Sequence, residues 1–272
     1  MNEIQFLPKK DQEDIESKAN RKLEELHLHS RILGQHVFNI VKREATLLQS
    51  PFSDKEFCAF VCQKKGRLFV YINSQIPEEK QHFAAAHELY HIWFDQEYLY
   101  NPEMLNSGTL EDKTENMREL RANLFAAMLL VPKHVLEKEL LFLNISKKSV
   151  TPYQVVELSN TFQVPYKTMV RRLYEIEFID KNLMKQLWEE KDIPLIRKKL
   201  QLEQHILNPI IRYEGLVENA LFLYEHGHLS YKKLKNLLSL VHKNPADFDI
   251  QASNQLPSEE EIDRLLNEED GE

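Results

Sequence analysis

Two stretches of the chain are apolar on almost every side, which is typical of helices buried inside a domain. The first covers residues 82–95, reads His-Phe-Ala-Ala-Ala-His-Glu-Leu-Tyr-His-Ile-Trp-Phe-Asp, and contains neither glycine nor proline. The second runs from about residue 111 to residue 131 and is ended by Pro132. Residues 96–108, between the two helices, contain helix-breaking pairs and predict a loop.

The pattern before the first buried helix changes from helical to extended. Residues 11–48 place apolar positions three and four apart, which predicts one or two amphipathic helices. Residues 57–62 and 67–72 are β-prone and are separated by a short polar turn with a glycine, so they predict a β-hairpin. The fold class is therefore α+β and mostly helical, with a short antiparallel sheet or hairpin.

The polar residues inside the first buried helix form the motif H-E-x-x-H. His87 and His91 are four residues apart, about 400° on a helix, so their imidazoles lie one turn apart and about 40° from one another. Both rings can then reach one Zn²⁺ at about 2.0–2.1 Å. Glu88 points about 100° away, where it is placed to act as a general base rather than as a ligand. The motif fixes only three positions and also occurs by chance, but burying these side chains without a partner would be costly.

The second buried helix supplies a candidate third ligand. Glu119 and Asn123 are also four residues apart and face the same way on an otherwise apolar helix. Glu119 as the third zinc ligand and Asn123 as a hydrogen-bond partner of a ligating histidine would satisfy both side chains. The alternative is that Glu119 lies at the surface and pairs with Arg118 or Lys113.

Other third ligands are possible in principle. Glu115, one turn earlier, is the main competitor of Glu119, and His134, just past the helix, is a more distant one. A three-histidine site with its third histidine six residues after His91 is excluded, because Glu97 stands there and Phe94 replaces the expected glycine.

Taken in this order, the two motifs resemble those of the ImmA/IrrE family of bacterial metallopeptidases, over roughly residues 55–175. The motifs read Ala85-Ala86-His87-Glu88-Leu89-x-His91 and Glu119-x-x-x-Asn123-x-Phe125-Ala126-Ala127-x-Leu129-Leu130-x-Pro132. The resemblance implies a zincin-like core with a thermolysin-like zinc site on two helices. It implies that His87, His91 and Glu119 are ligands, that Glu88 is the base, and that the substrate is a DNA-binding repressor in bacteria, phages or mobile elements. Tyr90 stands where many members of the family carry a small residue.

Residues 151–176 predict two short helices joined by a turn, which looks like a helix-turn-helix. Its predicted shared core is Leu158, Phe162, Val164 and Leu173, and its predicted basic face is Lys167, Arg171 and Arg172. This face could contact DNA. The more conservative interpretation is a packing unit that closes the catalytic domain or docks a substrate, since similar segments recur in the peptidase family.

The chain is thus divided into five predicted segments. They are an N-terminal helical segment (1–50), a zincin-like core (51–145), a helix-turn-helix-like segment (146–180), a helical C-terminal region (181–256) and an acidic tail (257–272). In the C-terminal region, His226 and His228 resemble a metal-binding pair but are more typical of a helix end or turn. Ser258 and Glu261 could form a capping box, so the tail is either a docking helix or disordered.

Composition limits the partners. The formal charge of the 272-residue chain, −8, argues against general binding of nucleic acid. Eight acids and one arginine give residues 257–272 a net charge of −7, so the body is nearly neutral and charge alone names no partner. The two cysteines, Cys58 and Cys62, provide no disulfide framework. Without a signal peptide or a run of 18 apolar residues, we expect a cytoplasmic protein that does not bind membranes.

These observations lead to two functional hypotheses. The first is a zinc endopeptidase that uses Glu88 as general base and makes a limited cut in a protein, most simply a helix-turn-helix repressor. A further donor should stabilise the oxyanion, and the candidates are Tyr98, Tyr100, His134 and Tyr153. The alternative is a non-proteolytic regulatory module that contains zinc and binds DNA or a repressor through residues 151–176.

Overall fold

The structure is a computed structural model that describes residues 6–100, 116–147, 149–202 and 210–251. The chain divides into two compact units, the first ending at Glu214 and the second starting at Gly215. The helices of the first unit are α1 (Lys9–Glu25), α2 (Val37–Glu44), α3 (Glu78–Phe94), α4 (Gln96–Tyr100), α5 (Met117–Leu130), α6 (Lys133–Phe142), α7 (Pro152–Phe162), α8 (Tyr166–Glu175), α9 (Lys181–Trp188) and α10 (Ile193–Lys199). Its strands are β1 (Thr46–Ser50), β2 (Ala59–Lys64), β3 (Arg67–Asn73) and β4 (Arg212–Tyr213). The second unit contains α11 (Leu216–Glu225) and α12 (Tyr231–Ser239).

The fold is α+β and mostly helical, as predicted, and the described strands form one small mixed sheet in the order β2-β3-β1-β4. The predicted hairpin is confirmed, because β2 and β3 pair in antiparallel fashion around Lys65 and Gly66. Both turn residues have positive φ, 50° and 76°, as a two-residue turn between twisted strands requires.

The sheet extends beyond the predicted hairpin and contains one parallel pair of strands that the sequence did not predict. Strand β1 runs parallel to β3, with Leu47 opposite Val70, and β4 is antiparallel to β1. The helical prediction over residues 11–48 is wrong at its end, because α2 stops at Glu44 and Ala45 is extended. Leu47 and Gln49 then alternate into the buried face of the sheet, which only a strand allows.

The two predicted buried helices lie at the centre of the first unit and pack against each other. Helix α3 begins after Pro77, and every residue from 81 to 92 is buried. Helix α5 begins at the N-cap Asn116, whose side chain accepts a hydrogen bond from the Arg118 N–H, and it ends before Pro132. Strands β2 and β3 pack against α3, so this helix lies between the sheet and α5. The predicted start of the second helix, residues 111–115, lies outside the described residues, as does most of the predicted loop 96–108, whose first five residues form α4.

Helices α7 and α8 form the predicted helix pair, joined by a left-handed residue, Gln163, with φ 54°. The four predicted core residues of the pair are all buried. The predicted basic face is wrong at two of its three positions, because Arg171 and Arg172 are only 6% and 1% exposed. Arg172 donates from Nε to the carbonyl oxygen of Val131 at the end of α5, and both arginines pair with Glu175. The pair is therefore a packing unit of the first unit.

The second unit is a helical hairpin built like α8 and α9. The sequence Leu-Tyr-Glu ends both α8 and α11, and in each case a residue with positive φ follows, Glu177 and Gly227. The next helix of each pair is capped by a side chain, from Asp180 and Ser230 respectively. The predicted turn at residues 226–228 is thus confirmed. Residues 257–272 lie outside the described residues, and no described helix is long and apolar enough to cross a bilayer.

Candidate metal centre

Helices α3 and α5 bring the three predicted ligands to one point. Nε2 of His87 lies 3.1 Å from Nε2 of His91 and 3.1 Å from Oε2 of Glu119. Nε2 of His91 lies 3.8 Å from Oε1 of Glu119. All three side chains are buried, and together they form a group that could hold a metal ion.

The spacing of these atoms fits a small tetrahedral ion. Two ligand atoms that each lie about 2.0–2.1 Å from a Zn²⁺, at a tetrahedral angle, are about 3.3 Å apart. The two distances from Nε2 of His87, 3.1 Å to Nε2 of His91 and 3.1 Å to Oε2 of Glu119, lie close to that value, and the other oxygen of Glu119 lies 3.8 Å from Nε2 of His91. The group therefore has the size of one face of a tetrahedral site.

The hydrogen bonds of the two imidazoles also fit a cation. Nδ1 of His87 lies 2.8 Å from Oδ1 of Asn123, and Nδ1 of His91 lies 3.1 Å from Oδ2 of Asp95. Both partners are acceptors, so each Nδ1 carries the proton and a neutral ring presents its Nε2 lone pair. The Nε2 lone pairs of the two rings and the carboxylate of Glu119 then face each other within hydrogen-bond distance. These electron-rich atoms repel one another unless a proton or a metal ion lies between them.

The charges in the group follow from burial and from mutual contact. Burial lowers the pKa of His91, although its hydrogen bond to Asp95 opposes the change. Burial also pushes the pKa of His87 down, but the neighbouring carboxylates of Glu119 and Glu88 outweigh it, and the net pKa is raised. Burial would raise the pKa of Glu119, yet the His87 contact holds it below its usual value. The site thus favours an ionised carboxylate beside the imidazoles.

Glu88 lies beside this group without belonging to it. The side chain is buried, and burial raises the pKa of its carboxyl to about 7. The carboxylate accepts a hydrogen bond from the backbone N–H of Val61, whereas its Oε2 has no hydrogen-bond partner among the described residues. A carboxyl group in this state can take up and release a proton near neutral pH.

Val61 belongs to β2, which has no second neighbour among the described strands. The Asn73 N–H donates to the Cys58 carbonyl. Because hydrogen-bonded and non-hydrogen-bonded pairs alternate along an antiparallel hairpin, the backbone groups of Cys58, Phe60 and Cys62 point towards β3. The residues between them turn their backbone groups towards the free edge of the sheet, and Val61 is one of these. The edge of β2 therefore borders the candidate site.

Sequence reasoning missed Asp95 and the role of Arg118. Nε of Arg118 lies 3.0 Å from Oδ2 of Asp95, so Arg118 does not serve as the surface partner of Glu119 that was considered from sequence. The available signal was spacing, because Asp95 follows His91 by four residues, the same separation that joins the two histidines.

The competing residues lie elsewhere or are not described. His134 contacts the backbone oxygen of His29 and is not part of the group, and Tyr153 is partly exposed and accepts a hydrogen bond from Lys199. Glu115 lies outside the described residues, and so do the side chains of Tyr98 and Tyr100.

Comparison with known proteins identifies the domain that carries this site. Residues 49–174 match the family model described as the IrrE N-terminal-like domain, Peptidase_M78. No curated protein matches the chain. The matched segment contains the last two residues of β1, all of β2 and β3, both helices of the candidate site and α7, together with nearly all of α8. The resemblance to the ImmA/IrrE family of metallopeptidases is thus confirmed for residues 49–174, the segment that matches the IrrE N-terminal-like domain.

Proposed function

We propose that this protein is a zinc-dependent endopeptidase that makes a limited cut in a protein substrate. Membership of its central domain in a metallopeptidase family supports the reaction class. The observation that carries the proposal is the convergence of two imidazole lone pairs and one carboxylate on a single point, directly beside a second buried carboxyl. A purely structural metal site has no use for that additional carboxyl group.

His87, His91 and Glu119 would hold the zinc ion, with Asn123 fixing the orientation of the His87 ring. When bound, zinc would supply Lewis acidity, which polarises a peptide carbonyl and lowers the pKa of water. Because both Nδ1 protons are already donated to acceptors, the two rings need not turn to present Nε2. The ligands are therefore preorganised.

Glu88 would act as the proton carrier of the reaction. Its carboxylate takes a proton from the attacking water while the new carbon–oxygen bond forms. It then delivers that proton to the leaving nitrogen as the carbon–nitrogen bond breaks, so the enzyme ends in its starting state. The Val61 N–H donates a hydrogen bond to this carboxylate and holds it beside the site.

The free edge of β2 is the proposed binding surface for the substrate backbone. An extended peptide can add to such an edge as a further strand, and main-chain hydrogen bonds then provide affinity with little regard for sequence. Val61 presents its backbone carbonyl at this edge, while its N–H donates to Glu88. A peptide paired with β2 would thus run past the proton carrier.

We further propose that the substrate is a helix-turn-helix repressor and that the enzyme acts in the cytoplasm. The resemblance to the ImmA/IrrE family supports the choice of substrate, and repressors act where DNA is found. The test is co-expression of the full chain with helix-turn-helix regulators encoded near it, followed by detection of fragments.

Glu88→Gln is the diagnostic variant in that experiment. It keeps the shape of the side chain but cannot accept the proton, so cleavage should fall by at least about 100-fold while zinc stays bound. Glu79→Gln, at the start of the same helix and paired with Arg197 rather than with the site, is the matched control and should cut like the parent. A Glu88→Gln variant that cuts a genuine substrate at the parent rate would refute the assignment.

A further inference from the structure

Asp95 contacts His91 through both its backbone and its side chain. The Asp95 N–H donates to the His91 carbonyl oxygen at 3.2 Å, and its Oδ2 accepts the Nδ1 proton of the His91 ring at 3.1 Å. The two contacts fix the last turn of α3 and the ring of a residue that is 0% exposed. The plane of the His91 imidazole is therefore set from outside the ligand group.

Arg118 connects Asp95 to the other helix of the site. Its Nε lies 3.0 Å from the same Oδ2 that accepts the His91 proton. Its backbone N–H is bound by Asn116 at the start of α5, so the residue is fixed one position before Glu119. Through Arg118 and Asp95, the beginning of α5 is joined to the end of α3.

Both residues stand where the local helix field disfavours them. Asp95 lies at the carboxyl end of α3, where the helix dipole favours cations, and Arg118 lies in the first turn of α5, where it favours anions. Each placement is unfavourable unless the charge is paired. The ion pair between Asp95 and Arg118 is partly shielded from solvent and offsets both unfavourable placements. It lies where the two helices that carry the candidate ligands meet.

We propose that Asp95 is a positioning residue of the metal site and that Arg118 acts through it. Asp95 keeps the His91 Nε2 directed at Glu119, and Arg118 holds Asp95 in register with α5, so that the ligands of the two helices stay at bonding distance from one ion. This inference rests on the proposed function, because it assumes that His87, His91 and Glu119 bind a metal.

The test is the affinity of the full chain for Zn²⁺, measured by competition with a chromophoric chelator. Asp95→Ala removes the acceptor and should weaken zinc binding about 10–100-fold, whereas Asp95→Asn keeps an acceptor oxygen and should restore most of the affinity. Arg118→Gln should weaken binding by a smaller factor. In an Asp95→Ala background, Arg118→Gln should weaken zinc binding less than it does in the parent, because its contact with Asp95 is already lost.

Asp11→Asn is the matched control. It breaks the ion pair between Arg121 of α5 and α1, which has a similar length of 3.1 Å and lies one turn further along α5. This variant should bind zinc like the parent. The visible absorption spectrum of the Co²⁺-loaded protein provides a second readout, and it should change in Asp95→Ala but not in Asp11→Asn.

The outcomes separate the inference from the proposed function. If Asp95→Ala binds zinc as tightly as the parent, with an unchanged Co²⁺ spectrum, the positioning role is wrong and the metal site stands. If the parent itself binds no zinc, both proposals fall. Should Asp95→Ala fail to fold, Arg118→Gln decides, because its partly exposed side chain can be replaced with little disruption and unaltered zinc affinity would contradict the proposed connection.

Discussion

Asn123 accepts a hydrogen bond from Nδ1 of His87 at 2.8 Å, and this bond joins the two buried helices of the site. Asn123→Ala should therefore release the His87 ring and weaken zinc binding about 10–100-fold. Asn123→Asp, which retains an acceptor, should bind zinc within a few-fold of the parent. Chelator competition measures both values, and an Asn123→Ala variant with parental affinity would show that the ring is held by other contacts.

Ionisation of Glu88 should destabilise the metal-free protein as the pH rises. The pKa of its carboxyl is about 7 in the folded chain, against 4.5 for an unperturbed glutamate. Between these values the folded state binds more protons than the unfolded state, so its free energy of unfolding falls with rising pH and the change ends above pH 7. Glu88→Gln removes this loss.

The stability advantage of Glu88→Gln over the parent should thus grow by about 3 kcal/mol from pH 4.5 to pH 7.5. Urea unfolding of chelator-treated protein at a series of pH values measures the difference. Glu79→Gln is the control, and its difference from the parent should not follow this curve. A difference between Glu88→Gln and the parent that stays constant over the whole range would contradict a raised pKa.

The helix pair α7–α8 should contribute to stability and not to DNA binding. Arg172→Met breaks a buried ion pair with Glu175 and removes the donor to the Val131 carbonyl, and it should lower the free energy of unfolding by about 3 kcal/mol. Lys167 is exposed and places its ammonium group over the ring of Trp188. Lys167→Met should therefore lower the free energy of unfolding by only about 1 kcal/mol or less. Denaturant unfolding measures both.

The same chain tests the DNA-binding alternative in a gel-shift titration at stated salt concentration. With two of the three predicted basic contacts buried, we expect no sequence-selective binding by the parent. Selective, salt-sensitive binding that Lys167→Met abolishes would restore the non-proteolytic hypothesis.

Gly34 should tolerate a side chain poorly, because its backbone is left-handed and the end of the Gln163 side chain, which would have to move, occupies the space that a Cβ would need. The residue has a positive φ of 45°, and an added Cβ would lie 2.7 Å from Cδ of Gln163. Gly34→Ala should therefore destabilise the protein by about 2–4 kcal/mol. Gly66, in the hairpin turn, also has positive φ but open space around it, so Gly66→Ala should cost only about 1 kcal/mol. Equal losses in thermal unfolding would show that the packing against Gln163 is unimportant.

The parts of the site that could be predicted from sequence are those set within one helix. Spacing alone places His87 and His91 on one face of α3, and the same spacing pairs Glu119 with Asn123 on α5. The contacts of His87 with Glu119 and Asn123, which are 32 and 36 residues away in sequence, are predicted because burying these polar groups without partners would be costly. The distances in the structure agree with this prediction.

The predictions that are wrong concern residues whose conformation or burial depends on contacts with distant parts of the chain. Strand β1 contains the same residue types as the end of an amphipathic helix, and only its parallel pairing with β3 makes it extended. Arg171 and Arg172 are predicted to lie on the basic face of a helix-turn-helix, but both are buried and pair with Glu175. Their partner Glu175 is visible in the sequence, but the Val131 carbonyl lies 41 residues from Arg172 and could not be inferred.

The metal content of the purified full chain tests the central proposal most directly. We expect about one zinc ion per chain in the parent and in Glu88→Gln, and almost none in His87→Ala or Glu119→Ala, since each of these loses one of three protein ligands. Folding of the variants is checked by circular dichroism. A folded parent without bound metal, or a Glu119→Ala variant that retains zinc as tightly as the parent, would contradict the account.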